Sequence, residues 1–89
     1  MTLLIRPAKP PDKELILKIN PKRGKIFTRP ELFSLIGVDY FPIELMSGDL
    51  LLVQKCFEEK TLGRNNLASK LSHQEIYGTA IICEPKEID

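Results

Sequence analysis

The chain has 89 residues, 43% hydrophobic and 28% charged. These are the proportions of a single folded domain over residues 1–89, not of a disordered segment. No apolar run approaches the ~18 residues of a membrane span, and Met1–Pro7 has no basic lead-in, so neither a membrane partner nor a secretory leader is expected. The formal net charge of +1 is built asymmetrically, with eight basic and two acidic side chains in residues 1–29 and five basic and ten acidic in residues 30–89. Folding either keeps these halves apart as a dipolar surface or lets them neutralise each other.

Leu3-Leu4-Ile5 reads as a short strand. Pro7, Pro10 and Pro11 then free the backbone from regular pairing, because proline fixes φ and lacks an amide hydrogen. Glu14–Ile19 reads as a second strand, with Leu15, Leu17 and Ile19 on one face by the period of two. Asn20-Pro21-Lys22-Arg23-Gly24-Lys25 is a turn, in which Gly24 can supply a positive φ. Thr28-Arg29-Pro30-Glu31 has the spacing of a capping box and predicts a helix over 29–36. Phe27 and Leu32 are spaced as a hydrophobic staple, Leu32, Leu35 and Ile36 form an apolar stripe, and Gly37 is placed to end the helix left-handed.

Asp39–Met46 alternates, with Phe41, Ile43 and Leu45 on one face. Pro42 cannot donate a ladder bond, which puts this strand at an edge or a bulge. Ser47-Gly48-Asp49 is a tight turn into Leu50–Cys56, a strand apolar on both faces in its first half and therefore central. Asn65 or Asn66 caps a short helix at about 66–72. Ile76–Cys83 is the last strand, Pro85 stops it, and 85–89 are expected as a frayed tail. The expected class is α+β, a four- or five-stranded largely antiparallel sheet with the main helix on one face, or a half-open barrel curled around that helix.

The order of the helix ending in Gly37, the Gly48-Asp49 turn, the Leu50-Leu51-Leu52-Val53 strand, Leu62-Gly63-Arg64-Asn65-Asn66-Leu67-Ala68 and Ile76-Tyr77-Gly78-Thr79-Ala80-Ile81-Ile82 resembles an uncharacterised family, the domain-of-unknown-function family numbered thirty-eight forty-six. The likeness runs from Leu3 to Glu84, with the basic Asn20–Lys25 turn as an addition and Gly37 alone where members often carry a Gly-Gly pair. It implies this order of elements and an accessory role on a phage, plasmid or bacterial chromosome, and it implies no activity.

Two segments have charge and backbone suited to binding. Lys22, Arg23 and Lys25, flanked by Lys18 and Arg29, would make a hairpin tip for phosphates, with Phe27 as a stacking ring. Against this, a solvated turn has the same composition, and the isoelectric point of about 7.8 is far below that of a typical nucleic-acid module. Arg64, Asn65 and Asn66 would form an anion or nucleotide seat at a helix start, the plainer reading being a capped loop. His73 with Cys56 or Cys83 is set aside as a nucleophile pair because both thiols end apolar strands and are expected buried. A Cys56–Cys83 disulfide would need adjacent strands and is disfavoured in the reducing cytoplasm, the compartment in which this chain is expected. Glu58 and Glu59 are consecutive and point apart, and no cofactor or metal site is expected.

The expectation is therefore a non-enzymatic interaction module that binds a protein partner or a second copy of itself, through the edge strand marked by Pro42. The alternative is a ligand- or nucleic-acid-binding module using 22–25 and 63–66.

Overall fold

The computed structural model describes residues 2–7, 14–22 and 24–88. Strands β1 (Thr2–Arg6), β2 (Leu15–Ile19), β3 (Tyr40–Glu44), β4 (Leu50–Gln54) and β5 (Ala80–Cys83) form one sheet in the order β2-β1-β5-β4-β3. Every neighbouring pair is antiparallel. Two sequence-adjacent pairs thus lie at the two ends of the sheet, and the last strand joins them. Helices α1 (Arg29–Ile36) and α2 (Asn66–Ser72) complete a small α+β domain.

Alternation along the strands sends side chains to two cores. Leu4, Ile81 and Leu52 lie in one cross-strand row and pack with Phe27, Leu32 and Ile36, beneath α1. Leu51, Val53 and Ala80 point the other way and meet Ala68 of α2 and Ile76. Both faces of β4 and β5 are therefore covered, which is why their sequences are apolar without alternation. Phe41 and Phe57 meet edge to face at 5.4 Å over the second core.

Helix α1 begins where Thr28 accepts the Glu31 amide at 3.4 Å and ends at Gly37, whose φ is +92° and whose amide donates to the Phe33 carbonyl at 2.7 Å. The reciprocal half of the expected capping box is replaced. The Glu31 carboxylate accepts the Lys22 amide at 2.8 Å and so ties the preceding connection to the helix.

The structure also corrects both ends of the last segment. The strand begins at Ala80, not Ile76. The Ile76 carbonyl accepts the Asn65 amide at 2.8 Å, Tyr77 donates to the Phe57 carbonyl at 2.9 Å, and Gly78 turns the chain at φ +89°. Residues 85–88 are not frayed. Pro85–Glu87 form a 3-10 turn, the Phe27 amide donates to the Glu87 carbonyl at 2.7 Å, and Ile88 packs on the α1 core. The physical reason is that Phe27 is fully buried, so its amide needs a partner from the protein. Among the described residues, no helix is long and apolar enough to cross a membrane.

Candidate functional site

The sheet has two edge strands, β2 and β3, and they differ in what they offer. The ladder bonds decide which backbone groups point outward. Lys55 donates to Asp39 and Leu45 donates to Asp49, each at 2.9 Å, and both pairs continue the β3–β4 register. Hydrogen-bonded pairs alternate along an antiparallel ladder, so Phe41–Val53 and Ile43–Leu51 are bonded and the Pro42 nitrogen faces away from β4. Pro42 therefore removes a donor from the free edge of β3.

The same alternation carries across the sheet. Leu50 and Leu52 bond to Cys83 and Ile81, Leu3 and Ile5 bond to Ile82 and Ala80, and Thr2, Leu4 and Arg6 bond to Ile19, Leu17 and Leu15. Within β2 this leaves the N–H and C=O groups of Ile16 and Lys18 directed away from β1, with no partner among the described residues and no proline in the strand.

The side chains of β2 are as open as its backbone. Leu15, Ile16 and Leu17 are 48%, 49% and 39% exposed. Parity puts Leu15, Leu17 and Ile19 on the α1 face and Ile16 and Lys18 on the α2 face. The helices cover β1, where Leu4 and Ile5 are buried, and stop short of β2. Only Ile19 is partly covered, against the α1 core that Leu35 also joins. Beside Ile19, a cleft of about 260 Å³ runs between Asn20, Lys22 and the α1 side chains Glu31, Ser34 and Leu35.

At the opposite edge a groove of about 430 Å³ separates α1 from β3, lined by Pro30, Phe33, Tyr40 and Pro42 among others. Burial pushes the Tyr40 phenol above its ordinary pKa, and the nearby Arg29 charge opposes that shift. Lys55 bonds Asp39 at 3.0 Å and holds its carboxyl below the usual value.

The structure does not gather the basic candidates on one surface. Lys18 lies on the α2 face of the edge strand, whereas Arg29 opens α1 on the other face. Lys22 and Lys25 are exposed in the connection from β2 to α1, which corrects the expected hairpin tip, and Arg23 lies outside the described residues. Phe27 is fully buried and offers no stacking ring.

The expected anion seat is filled from within. The Glu14 carboxylate accepts the amides of Asn66 and of Leu67, the latter at 2.9 Å. Arg64 donates to the Asn66 side chain at 2.9 Å. Asn65 is fully buried, correcting its role as an exposed reader: its side chain accepts the Ala68 amide at 3.1 Å and donates to the Ile5 and Gly78 carbonyls at 3.1 and 2.9 Å.

Both cysteines are free thiols, and Cys56 is exposed in the turn after β4, contrary to expectation. Burial pushes the Cys83 thiol up to about 11. His73 ends α2 in the left-handed region at φ +58°. Among the described residues, no three His, Cys, Asp or Glu side chains converge as metal ligands.

Sequence reasoning placed the open edge at Pro42 and missed β2. The apolar run Leu15-Ile16-Leu17 has the same pattern as the start of β4, so composition alone does not separate an exposed edge from a buried centre. No protein-family model, no curated protein and no solved structure matches this chain.

Proposed function

We propose that the chain is a non-enzymatic interaction module that joins protein chains through β2, with a second copy of itself as the first partner. The observation that carries this reading is the outward backbone row at Ile16 and Lys18, unpaired among the described residues and flanked by the exposed side chains of Leu15, Ile16 and Leu17. An unblocked edge strand accepts an added strand by main-chain bonds, and apolar side chains on its two faces supply the burial. A cytoplasmic, bacterial and accessory setting on a mobile element belongs to the same proposal. Two free thiols suit a reducing compartment, and the resemblance of the Leu3–Glu84 span to the uncharacterised family named above implies the rest. Sedimentation equilibrium over a concentration series tests it: a mass rising from one chain to two is expected, and a strict monomer at high concentration and low salt contradicts self-association.

The alternative, binding of a ligand or nucleic acid by Lys22, Arg23 and Lys25, draws support from the exposure of Lys22 and Lys25. Changing all three to Ala would then weaken binding to DNA or RNA and make its salt dependence shallower, and an unchanged slope removes them from any such site.

A further inference from the structure

We propose that two copies pair antiparallel through β2 about a two-fold axis at Leu17, making one continuous sheet. This rests on the reading of β2 as the association edge, and it fixes the partner and the register. Within the strand only Ile16 and Lys18 present outward N–H and C=O groups, and ladder bonds form only between such residues. Three axes satisfy that condition, at Ile16, Leu17 or Lys18. An axis at Lys18 sets two ammonium groups directly opposite each other, which is unfavourable. An axis at Ile16 puts Lys18 across from Glu14, but it pairs only Leu15–Leu17 of each strand and leaves Lys18 and Ile19 beyond the partner strand.

The axis at Leu17 overlaps all of Leu15–Ile19. Ile16 of each copy then bonds Lys18 of the other, and the lysine stem lies over Ile16 with its charge in water. Leu17 meets Leu17, and Leu15 meets Ile19, in non-hydrogen-bonded pairs, whose Cα atoms approach to roughly 4.5 Å. These pairs lie on the α1 face, so Leu15 of the second copy enters the cleft between Ile19 and Leu35. Charge agrees with this direction. The Glu14 end of each strand meets the other copy's Asn20 end, which continues into Lys22 and Lys25. A five-residue strand pairing buries less than the roughly 800 Å² per partner of a standard interface, so association is reversible and concentration-dependent.

Cysteine cross-linking reads the axis. In a Cys56→Ser background, Leu17→Cys and Ile16→Cys are each oxidised mildly and run without reductant, while Cys83 stays buried. A covalent dimer at least about tenfold stronger for Leu17→Cys is expected, because only a residue on the axis meets its own copy. A dominant Ile16→Cys dimer, or equal yields, overturns the Leu17 axis but leaves β2 association standing. No cross-link from either variant, with a dimeric mass, overturns both the axis and the β2 contact. A monomeric parent chain overturns self-association itself. Amide exchange on the unmodified chain gives an independent readout: the Ile16 and Lys18 amides slow about tenfold or more as concentration rises. Unchanged rates in a dimeric sample overturn the proposal.

Discussion

Leu4 and Leu17 face each other across the β1–β2 ladder on the same side of the sheet, yet Leu4 is 2% exposed and Leu17 39%. The two side chains are identical, and what differs is the reach of α1, which covers β1 and leaves β2 open. Full burial of a leucine is worth about 1.5–3 kcal/mol, so Leu17 retains a share of that gain for whatever strand pairs beside it.

Asn65 is a fully buried polar residue whose side chain makes three hydrogen bonds. Asn65→Ala leaves the Gly78 carbonyl and the Ala68 amide without their buried partner, and at roughly 1–3 kcal/mol for each unsatisfied group the expected loss is about 3 kcal/mol. Asn65→Asp does not rescue it, because the carboxylate faces two carbonyls where the amide donated. Urea titration checks both variants, and a loss below about 1 kcal/mol in either contradicts this assignment.

Thr28→Ala removes a more exposed and longer cap. The expected cost is about 1 kcal/mol, a fall in melting temperature of about 4–8 °C for a domain of this size. The Glu31 bond to the Lys22 amide survives the change, so the connection into α1 stays in place. A melt that matches the parent would show that Thr28 contributes no cap.

The local signals in the sequence were strong wherever a short motif settles its own geometry. Thr28 and Gly37 bound α1, Asn65 caps α2, and Ser47-Gly48-Asp49 turns the β3–β4 hairpin. What was not legible depends on distant residues. The order of strands places β2 outside β1, and nothing within Leu15–Ile19 encodes that neighbour's position. Glu14 reaches the start of α2 across more than fifty residues, so the occupied seat was also invisible. Ile76 and Tyr77 have strand-forming side chains, but the buried Asn65 and the Phe57 carbonyl claim their backbone.

Gly78→Ala is expected to be costly for two separate reasons. Its φ of +89° disfavours any side chain, and a Cβ there collides with the Gln54 amide oxygen. Gln54 is buried and donates to the Ile36 carbonyl at 3.0 Å, so it yields only by losing that bond. A loss of about 2–3 kcal/mol follows. Gln54→Ala in the same chain recovers the collision part, which makes the double variant more stable than additivity predicts. Strict additivity in a double-mutant cycle would rule the collision out.

The two thiols should separate sharply. Cys56 is exposed and Cys83 buried, so a thiol reagent labels one site in the native chain and two after unfolding. The Cys83 pKa rises on folding from the ordinary 9.0 to about 11 because burial disfavours the thiolate. The unfolded chain then binds fewer protons between those values, so stability is full below pH 9 and falls as pH rises toward 11. Cys83→Ser flattens that alkaline fall, and an unchanged pH profile would contradict the assignment.

The most direct measurement is the mass of the parent chain and of Leu17→Lys by sedimentation equilibrium, from low to high micromolar concentration. Leu17 is an exposed edge residue outside both buried cores, so the substitution is expected to leave the thermal melt of the monomer nearly unchanged. It also sets two ammonium groups face to face on the proposed axis. The account predicts a parent that passes from monomer to dimer and a variant that stays monomeric throughout. A parent that never exceeds the mass of one chain, or a variant that dimerises as well as the parent, would contradict it.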